Sequence, residues 1–255
     1  MKKRQHLDTQ VVSYAIKGKW NESIDGCVIS SIVANELFLV QGADPAKANL
    51  YIPLLSSRQM NGPMGTGLRR RNHPFNKRLS DSIIMDFSNE FPTIIEYNNL
   101  SMSSLINYGL ADLFAGAINH LDKDTKKTLK RRFQFLVENG VQCIPLRQSD
   151  VEIAFELLSQ FRERYNIKVN FRNSWNDLLV MSCAMCANEQ LITEDGLLSK
   201  FASEYLGVTP EKKQDFVELP FTANETNSHK QCRESKGYIN NGWRVRFSKP
   251  PNLSS

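Results

Sequence analysis

The chain has 255 residues, of which 41% are hydrophobic and 23% charged, as in an ordinary globular protein. It has no run of about 18 apolar residues, and the apolar stretch of a secretory signal does not follow its basic start, MKKRQHLD. We therefore expect a cytoplasmic protein without membrane contact, whose net charge of +5 is compatible with nucleic-acid binding but is weak support for it.

The first predicted element is a strand that ends in a carboxylate. Residues 6–18, HLDTQVVSYAIKG, look like a short strand that runs into a helix, with Asp8 where the strand ends. Aspartate is a poor strand former and is seldom buried without a partner. Asp8 therefore either ends the strand at a turn or holds a positively charged group.

The second segment has an acid inside an apolar pattern. In residues 28–42, VISSIVANELFLVQG, apolar side chains recur at three- and four-residue steps, which is typical of a helix, although the first residues are compatible with a strand. Ser30 or Ser31 is the expected N-cap. Glu36 lies either on the surface of this helix or towards a functional site.

Residues 41 to about 100 are rich in Pro, Gly, Asn and Ser, and we expect loops there. Residues 58–78 contain basic side chains and no acidic ones, so they form either a solvated surface loop or a loop that contacts phosphates. The basic side chains are Arg58, Arg69, Arg70, Arg71, Lys77 and Arg78.

Helices and short strands alternate over the rest of the chain. Ser149 or Asp150 is the expected cap of one helix, and Gly140 ends another. Turn formers and basic residues in the tail, 219–255, predict an added strand pair or an extension. The other predicted elements are helices over 103–121, 123–140, 151–167 and 173–190, a strand over 141–146, and a strand, turn and helix over 190–201.

Strands that alternate with helices predict an α/β fold with a mainly parallel sheet. In such sheets, ligands bind beyond the carboxyl ends of the strands. Asp8 follows the first strand, and Asp195 follows the apolar run of a late strand. If these strands are neighbours, both carboxylates face one crevice, and Asp177, which we expect to open its helix, lies at the same edge.

A cluster of these three acids and Glu36 would suit metal binding. Two like charges about 4 Å apart cost on the order of 4 kcal/mol at an effective dielectric near 20, so the cluster needs protons or cations. Oxygen ligands favour Mg²⁺ or Mn²⁺, and two such ions activate water at a phosphodiester. The alternative is that these acids are scattered surface or capping residues.

Other kinds of site have less support. The C-x-x-C of Cys183 and Cys186 lacks a second ligand pair and lies in an apolar helix, so we interpret both as packing residues. The sequence contains no Walker-type loop and no G-x-G-x-x-G motif.

Three segments together resemble the PIN-domain (PilT N-terminus) nucleases, in particular an enlarged form of the toxin-type ribonucleases. LDTQVVSYAIKG is similar to the family's opening L-D-T-N-V, and ISSIVANEL resembles its second motif, which ends in an acid followed by Leu. WNDLLVMSCAMCANEQLITED resembles the remaining motifs: an Asp that opens a helix, and a strand that ends in T-x-D. The resemblance covers residues 6–40 and, more weakly, about 133–205.

The resemblance implies a three-layer α/β/α sandwich and a metal-dependent endonuclease that cuts single-stranded nucleic acid, most often RNA. The four acidic positions, which would be catalytic and bind Mg²⁺ or Mn²⁺, fall on Asp8, Glu36, Asp177 and Asp195. The supporting polar positions fall on Thr9, Asn176 and Thr193.

The chain is longer than a compact PIN toxin, chiefly between Glu36 and Asp177. We therefore predict a PIN-like nuclease domain over 1–207 with an elaborated insertion at about 41–130. A C-terminal extension follows over 208–255.

Single-stranded RNA is the expected partner, and DNA stays open. Basic residues in the 58–78 loop and in segment 126–132 would steer the nucleic-acid backbone. In the loop these are Arg69, Arg70, Arg71, Lys77 and Arg78. Candidate stacking platforms, with core packing as the alternative for each, are Phe75, Tyr97 and Trp243.

Two further readings stay open. In the first, an inhibitory or activating protein partner controls the enzyme, which is either a toxin with its antitoxin or an effector of anti-phage defence. Alternatively, the chain is a non-catalytic PIN-like scaffold, although a scaffold does not need acids that repel one another. A homodimer is implied by the resemblance alone.

Overall fold

The computed structural model gives the fold over six stretches of the chain. The described residues are 4–40, 82–87, 95–165, 171–213, 216–221 and 244–247. Outside them lie the basic loop residues Arg58, Arg69, Arg70, Arg71, Lys77 and Arg78. So do the candidate stacking residues Phe75 and Trp243 and the side chain of Tyr97.

Short strands and longer helices make up the described residues. The strands are β1 (Gln5–Leu7), β2 (Val28–Ser30), β3 (Ser82–Asp86), β4 (Ile95–Asn98), β5 (Gln142–Ile144), β6 (Gln190–Thr193), β7 (Glu211–Lys213), β8 (Phe216–Pro220) and β9 (Arg244–Phe247). The helices are α1 (Thr9–Ile16), α2 (Ser31–Leu37), α3 (Leu100–Asn107), α4 (Ala111–Ala117), α5 (Lys123–Glu138), α6 (Gln148–Arg164), α7 (Phe171–Ala187) and α8 (Gly196–Leu206).

The larger of two sheets has the strand order β5-β2-β1-β6-β8-β7. Its first four strands are parallel, and the hairpin of β7 and β8 is added antiparallel at one side. Strand β1 lies between β2 and β6, with Leu7 opposite Ile192. The predicted α/β fold with a mainly parallel sheet is confirmed, and the carboxyl ends of β1, β2 and β6 share one edge.

Helices cover the larger sheet so that its central strands are largely buried. All three residues of β2 are buried, as are the last three of β6. Helix α6 packs on α7, α1 on α2 and α8 on β8. Burial of whole strands is typical of parallel sheets with helices on both faces. No helix among the described residues is long and apolar enough to cross a membrane.

A smaller antiparallel sheet has the order β4-β3-β9. Strands β3 and β4 lie in the stretch for which loops were predicted, and the buried side chains of Ile83 and Met85 show that β3 belongs to the core. The tail supplies β9, which pairs with β3. Strands β3 and β4 were missed because they have only five and four residues and lie among turn-forming residues.

An aromatic cluster fixes helix α7. The ring of Trp175 is fully buried and lies 4.9 Å from that of Phe155 in α6 and 5.3 Å from that of Phe87. Its indole N–H donates to the sulfur of Met85 at 3.0 Å. Rotation of α7 would break all of these contacts, so the side chains at the two following positions have fixed directions.

Two helices begin earlier than the sequence predicted. Helix α7 begins at the buried Phe171, so Asp177 lies in the second turn and does not open the helix. Helix α6 begins after Arg147, so neither Ser149 nor Asp150 is its N-cap. The carboxylate of Asp150 instead lies in the first turn and accepts the backbone N–H of Arg147 at 2.7 Å.

The C-x-x-C pair lies inside α7. Cys183 is buried and Cys186 is half-buried. Burial raises the pKa of both thiols, that of Cys186 to about 12. Both thiols are protonated at neutral pH and are poor metal ligands and nucleophiles in that state, in line with a packing role.

Two asparagine side chains each form hydrogen bonds with both backbone groups of one residue, its N–H and its carbonyl. The amide of Asn99 accepts the N–H of Leu146 at 2.7 Å and donates to its carbonyl at 3.0 Å. The amide of Asn107 likewise accepts the N–H of Cys143 in β5 at 2.7 Å and donates to its carbonyl at 2.8 Å. Asn99 also accepts the hydroxyl of Ser31 at 2.9 Å, which joins α2 to this network.

We expect Asn99→Ala to lower the free energy of unfolding by about 2–4 kcal/mol, since each buried backbone group left unpaired costs about 1–3 kcal/mol. The control is Asn119→Ala, because Asn119 is exposed and its side chain has no hydrogen bond to a described residue. That change should stay within about 0.5 kcal/mol. Urea unfolding followed by tryptophan fluorescence measures both, and similar small losses would contradict the assigned role of Asn99.

Candidate active site

Asp8 lies where β1 ends and α1 begins, at the carboxyl edge of the larger sheet. It caps α1, since one carboxylate oxygen accepts the backbone N–H of Thr9 at 2.5 Å. The other oxygen accepts the hydroxyl of Thr193 at 2.8 Å. With only 5% of its surface exposed, Asp8 does more than end a strand at a turn.

Thr193 connects Asp8 to Asp195. It is the last residue of β6, the strand beside β1, and its hydroxyl also accepts the backbone N–H of Asp195 at 3.0 Å. Asp195 caps α8, because one of its oxygens accepts the backbone N–H groups of Leu197 and Leu198 at 2.7 and 3.0 Å. Its second oxygen makes no hydrogen bond to a described residue and is open to a ligand.

Glu36 faces this site, although it belongs to a different helix. The hydroxyl of Thr9 donates to one of its oxygens, and the amide of Asn176 donates to the other at 2.6 Å. These two donors come from α1 and α7. Glu36 is therefore held between three helices and is not a simple surface residue of α2.

Among the four acids, Asp177 has the fewest hydrogen-bond partners in the described residues. It lies one position after Asn176 in α7, and it makes no hydrogen bond or ion pair with any residue that the structure describes. Burial raises its pKa well above the usual range, and the charges of Asp8, Asp195 and Glu36 raise it further. A carboxylate in this position needs a proton or a cation.

The four acids lie within electrostatic reach of one another. Burial is the main reason why the pKa of Asp8 rises to about 6, and the charges of Glu36 and Asp195 add to the rise. The hydrogen bonds from Thr193 and Thr9 act in the opposite direction, because they stabilise the ionised form. The structure thus brings together all four acids, with the three predicted supporting residues beside them.

The chemistry of this donor set fits a divalent cation that prefers oxygen. Its members are carboxylates alone, as Mg²⁺ and Mn²⁺ favour, and burial, together with the charges of the neighbouring acids, raises the pKa of Asp8 and Asp177. In their present positions, however, no three His, Cys, Asp or Glu side chains among the described residues are arranged to hold a metal ion.

Two arginines make contacts that the sequence did not predict. Arg172 lies one turn before Asn176 in α7, is half-buried, and interacts electrostatically with Glu36. Arg132 belongs to the segment predicted to steer nucleic acid, yet its guanidinium donates to the carbonyl of Leu37 at 2.5 Å, at the end of α2. The spacing of four residues between Arg172 and Asn176 was the available signal.

We expect the free energy of unfolding to depend on pH, because ionisation of Asp8 is less favourable in the folded state than in the unfolded state. Its pKa is about 6 in the folded protein, against 3.8 when unfolded. Between these values the folded state keeps a proton that the unfolded state has lost, so stability falls as pH rises from about 4 to above 6. At about 1.4 kcal/mol per pH unit, the full loss is on the order of 3 kcal/mol.

In a chelating buffer, Asp8→Asn should therefore be more stable than wild type at pH 7.5, with the difference shrinking towards pH 4. Asp122→Ala is a control with the opposite pH dependence, since hydrogen bonds, above all that with Thr125, lower the pKa of Asp122. Its loss of stability should be greater at neutral than at acid pH. A difference between Asp8→Asn and wild type that does not vary with pH would contradict the assigned environment of Asp8.

Known proteins do not assign this site. Comparisons with models of protein families, with curated proteins and with solved structures give no match. The resemblance to PIN nucleases and the catalytic roles of the acids therefore stay predictions. The chemistry must be argued from the residues of this chain.

Proposed function

We propose that the protein is a PIN-type endonuclease, with the three-layer sandwich of that family, which hydrolyses phosphodiester bonds in single-stranded RNA. The observation that carries the proposal is the meeting of four carboxylates at one sheet edge, where Asp177 has no partner among the described residues. Such a cluster costs stability unless cations bind it. A non-catalytic scaffold would gain nothing from that cost.

The roles in the proposed reaction follow from the contacts of each side chain. Asp8, Asp177 and Asp195 would hold Mg²⁺ or Mn²⁺, and Glu36 would complete a second metal site or orient water. When bound, the ions supply charge that acidifies water and stabilises the phosphorane-like transition state.

The protein's own contribution is to fix its carboxylates before the substrate arrives. Thr193 orients Asp8, and a backbone N–H of Asp195 orients the Thr193 hydroxyl in turn. Thr9 and Asn176 hold the two oxygens of Glu36. Hydrogen-bond partners of this kind typically change metal affinity or activity by about 10–100-fold.

We expect Asp8→Asn and Asp177→Asn each to reduce cleavage by at least about 100-fold, since a ligand should matter no less than its hydrogen-bond partners. The assay uses labelled single-stranded RNA and DNA of one sequence, with Mn²⁺, Mg²⁺ or a chelator. Faster cutting of RNA supports the assignment as a ribonuclease, whereas faster cutting of DNA would show that the enzyme is a deoxyribonuclease.

The matched control is Asp112→Asn, which removes one exposed carboxylate from α4 and should cleave like wild type. Circular dichroism shows whether each variant is folded. Folded wild type that cuts neither substrate with Mn²⁺, or variants that cut as fast as wild type, would overturn the proposed function.

A basic face of α5 supports nucleic acid as the substrate. Lys127, Lys130 and Arg131 are exposed at spacings that place them on one side of the helix, and none pairs with an acid among the described residues. Arg132, next to them, binds the carbonyl of Leu37. The basic face is thus attached directly to the helix that contains Glu36.

We expect replacement of these three exposed residues by Gln to weaken RNA binding at low salt. The logarithmic salt slope should become smaller by about 2, as expected for the loss of three phosphate contacts on a single strand. The control changes Lys17, Lys19 and Lys200 to Gln, which removes the same charge from exposed positions elsewhere. Fluorescence anisotropy from 50 to 300 mM salt measures both proteins, and equal slopes would rule out α5 as the contact surface.

A further inference from the structure

We propose that Asn35 is a positioning residue of this site, through which the small sheet β4-β3-β9 holds Glu36 in place. The inference rests on the metal site of the proposed function, and it gives a role to strands that lie outside the segments similar to PIN nucleases. It follows from the hydrogen bonds of Asn35 and from a second contact of the same sheet with α7.

Asn35 joins α2 to the end of β4. Its amide nitrogen donates to the carbonyl of Asn98 at 2.6 Å, and its oxygen accepts the N–H of the same residue at 3.1 Å. The nitrogen also donates to the carbonyl of Ser31, one turn earlier in α2, at 2.7 Å. Only 2% of the surface of Asn35 is exposed, so loss of its side chain would take partners from buried backbone groups.

These bonds fix the rotation of α2 about its own axis. The helix has only seven residues, and neighbouring side chains point about 100° apart around it. Asn35 faces β4, whereas Glu36, the next residue, accepts hydrogen bonds from the side chains of Thr9 and Asn176. A rotation that moved Glu36 would bend the hydrogen bonds of Asn35, and bent hydrogen bonds weaken steeply.

The small sheet also contacts the helix that contains Asp177. The sulfur of Met85 in β3 accepts the indole N–H of Trp175 in α7 at 3.0 Å, two positions before Asp177. Strands β3 and β4 are paired, and the tail adds β9 on the other side of β3. The helices that contain Glu36 and Asp177 are therefore attached to neighbouring strands of one sheet, which helps to set the distance between them.

The geometry that Asn35 maintains matters for a metal ion. Mg²⁺ demands near-ideal octahedral geometry, so a carboxylate that shifts at this site weakens metal binding. Groups that orient a metal ligand typically change metal affinity or activity by about 10–100-fold. Asn35 acts on Glu36 through the backbone of α2, and the lower end of that range therefore applies.

The test is a titration of the full-length protein with Mn²⁺, in which electron paramagnetic resonance measures the free ion and no substrate is present. Binding that is lost in Asp177→Asn is counted as binding at this site. Asn35→Ala should raise the Kd for Mn²⁺ by about 10-fold. Met85→Leu keeps the apolar volume and removes the sulfur acceptor. It should raise the Kd by a smaller factor, and it tests the proposal from the other helix if Asn35→Ala does not fold.

The matched control is Asn107→Ala, which also removes an asparagine that binds the N–H and the carbonyl of one residue, Cys143 in β5. Its Kd for Mn²⁺ should equal that of wild type, although its stability falls. Circular dichroism shows whether each variant is folded at the temperature of the titration. An unchanged Kd in a folded Asn35→Ala, or in Met85→Leu where Asn35→Ala is unfolded, would overturn the inference. An equal rise in Asn107→Ala would also overturn it, because the effect would then follow from lost stability alone.

Failure of the proposed function is seen separately. Wild type without Mn²⁺ binding that depends on Asp177 would overturn the metal site and this inference with it. Wild type that binds Mn²⁺ and cuts neither RNA nor DNA would overturn the nuclease function, while the Kd values of the variants still decide the role of Asn35.

Discussion

The mutual repulsion of four carboxylates at one sheet edge is the constraint on which the site depends. Two threonine hydroxyls, one amide and several backbone N–H groups hold three of these acids in place, and they leave Asp177 without a partner in the described part of the chain. Thr193 is central, because one hydroxyl serves Asp8 as donor and Asp195 as acceptor. The protein therefore keeps four acids together at a cost in its own stability.

The core of the fold supplies the stability that this arrangement requires. Parallel strands bring Asp8 and Asp195 to neighbouring positions, and the buried ring of Trp175 sets the direction of the α7 residues that follow it. Because the acids come from four separate elements, their relative positions depend on how those elements pack. Loss of packing beneath α7 would disturb the acids without changing any of them.

Local signals in the sequence account for much of this structure. Of the two serines predicted as possible N-caps, Ser30 is the one that accepts the N–H of Val33. Gly140 follows the basic helix with a positive φ, which is common just after a helix end. Asp8 and Asp195 were expected at one crevice if their strands were parallel neighbours, and β1 and β6 are such neighbours. The start of α7 was missed because Asp177 looked like an acid that opens a helix, whereas it lies inside a helix that already includes the buried Phe171.

Long-range contacts were beyond such signals. Strand β3 pairs with the nearby β4 and with β9 from the distant tail, and no pattern within its five residues identifies β9 as a partner. The interaction of Arg172 with Glu36 likewise depends on how α7 lies against α2. A single sequence predicts which side chains suit a site, whereas the packing decides which neighbours they receive.

The double hydrogen bond of Asn107 has a consequence for self-association. Strand β5 is the outermost strand on one side of the larger sheet, and Asn107 occupies the N–H and carbonyl of Cys143 that face away from β2. An extended segment of another molecule finds this edge already taken, which removes a common route to aggregation. At the opposite edge, β7 presents the exposed charges of Glu211 and Lys212, which also disfavour strand addition. Association of copies of this chain by extension of the larger sheet is therefore disfavoured at both of its described edge strands.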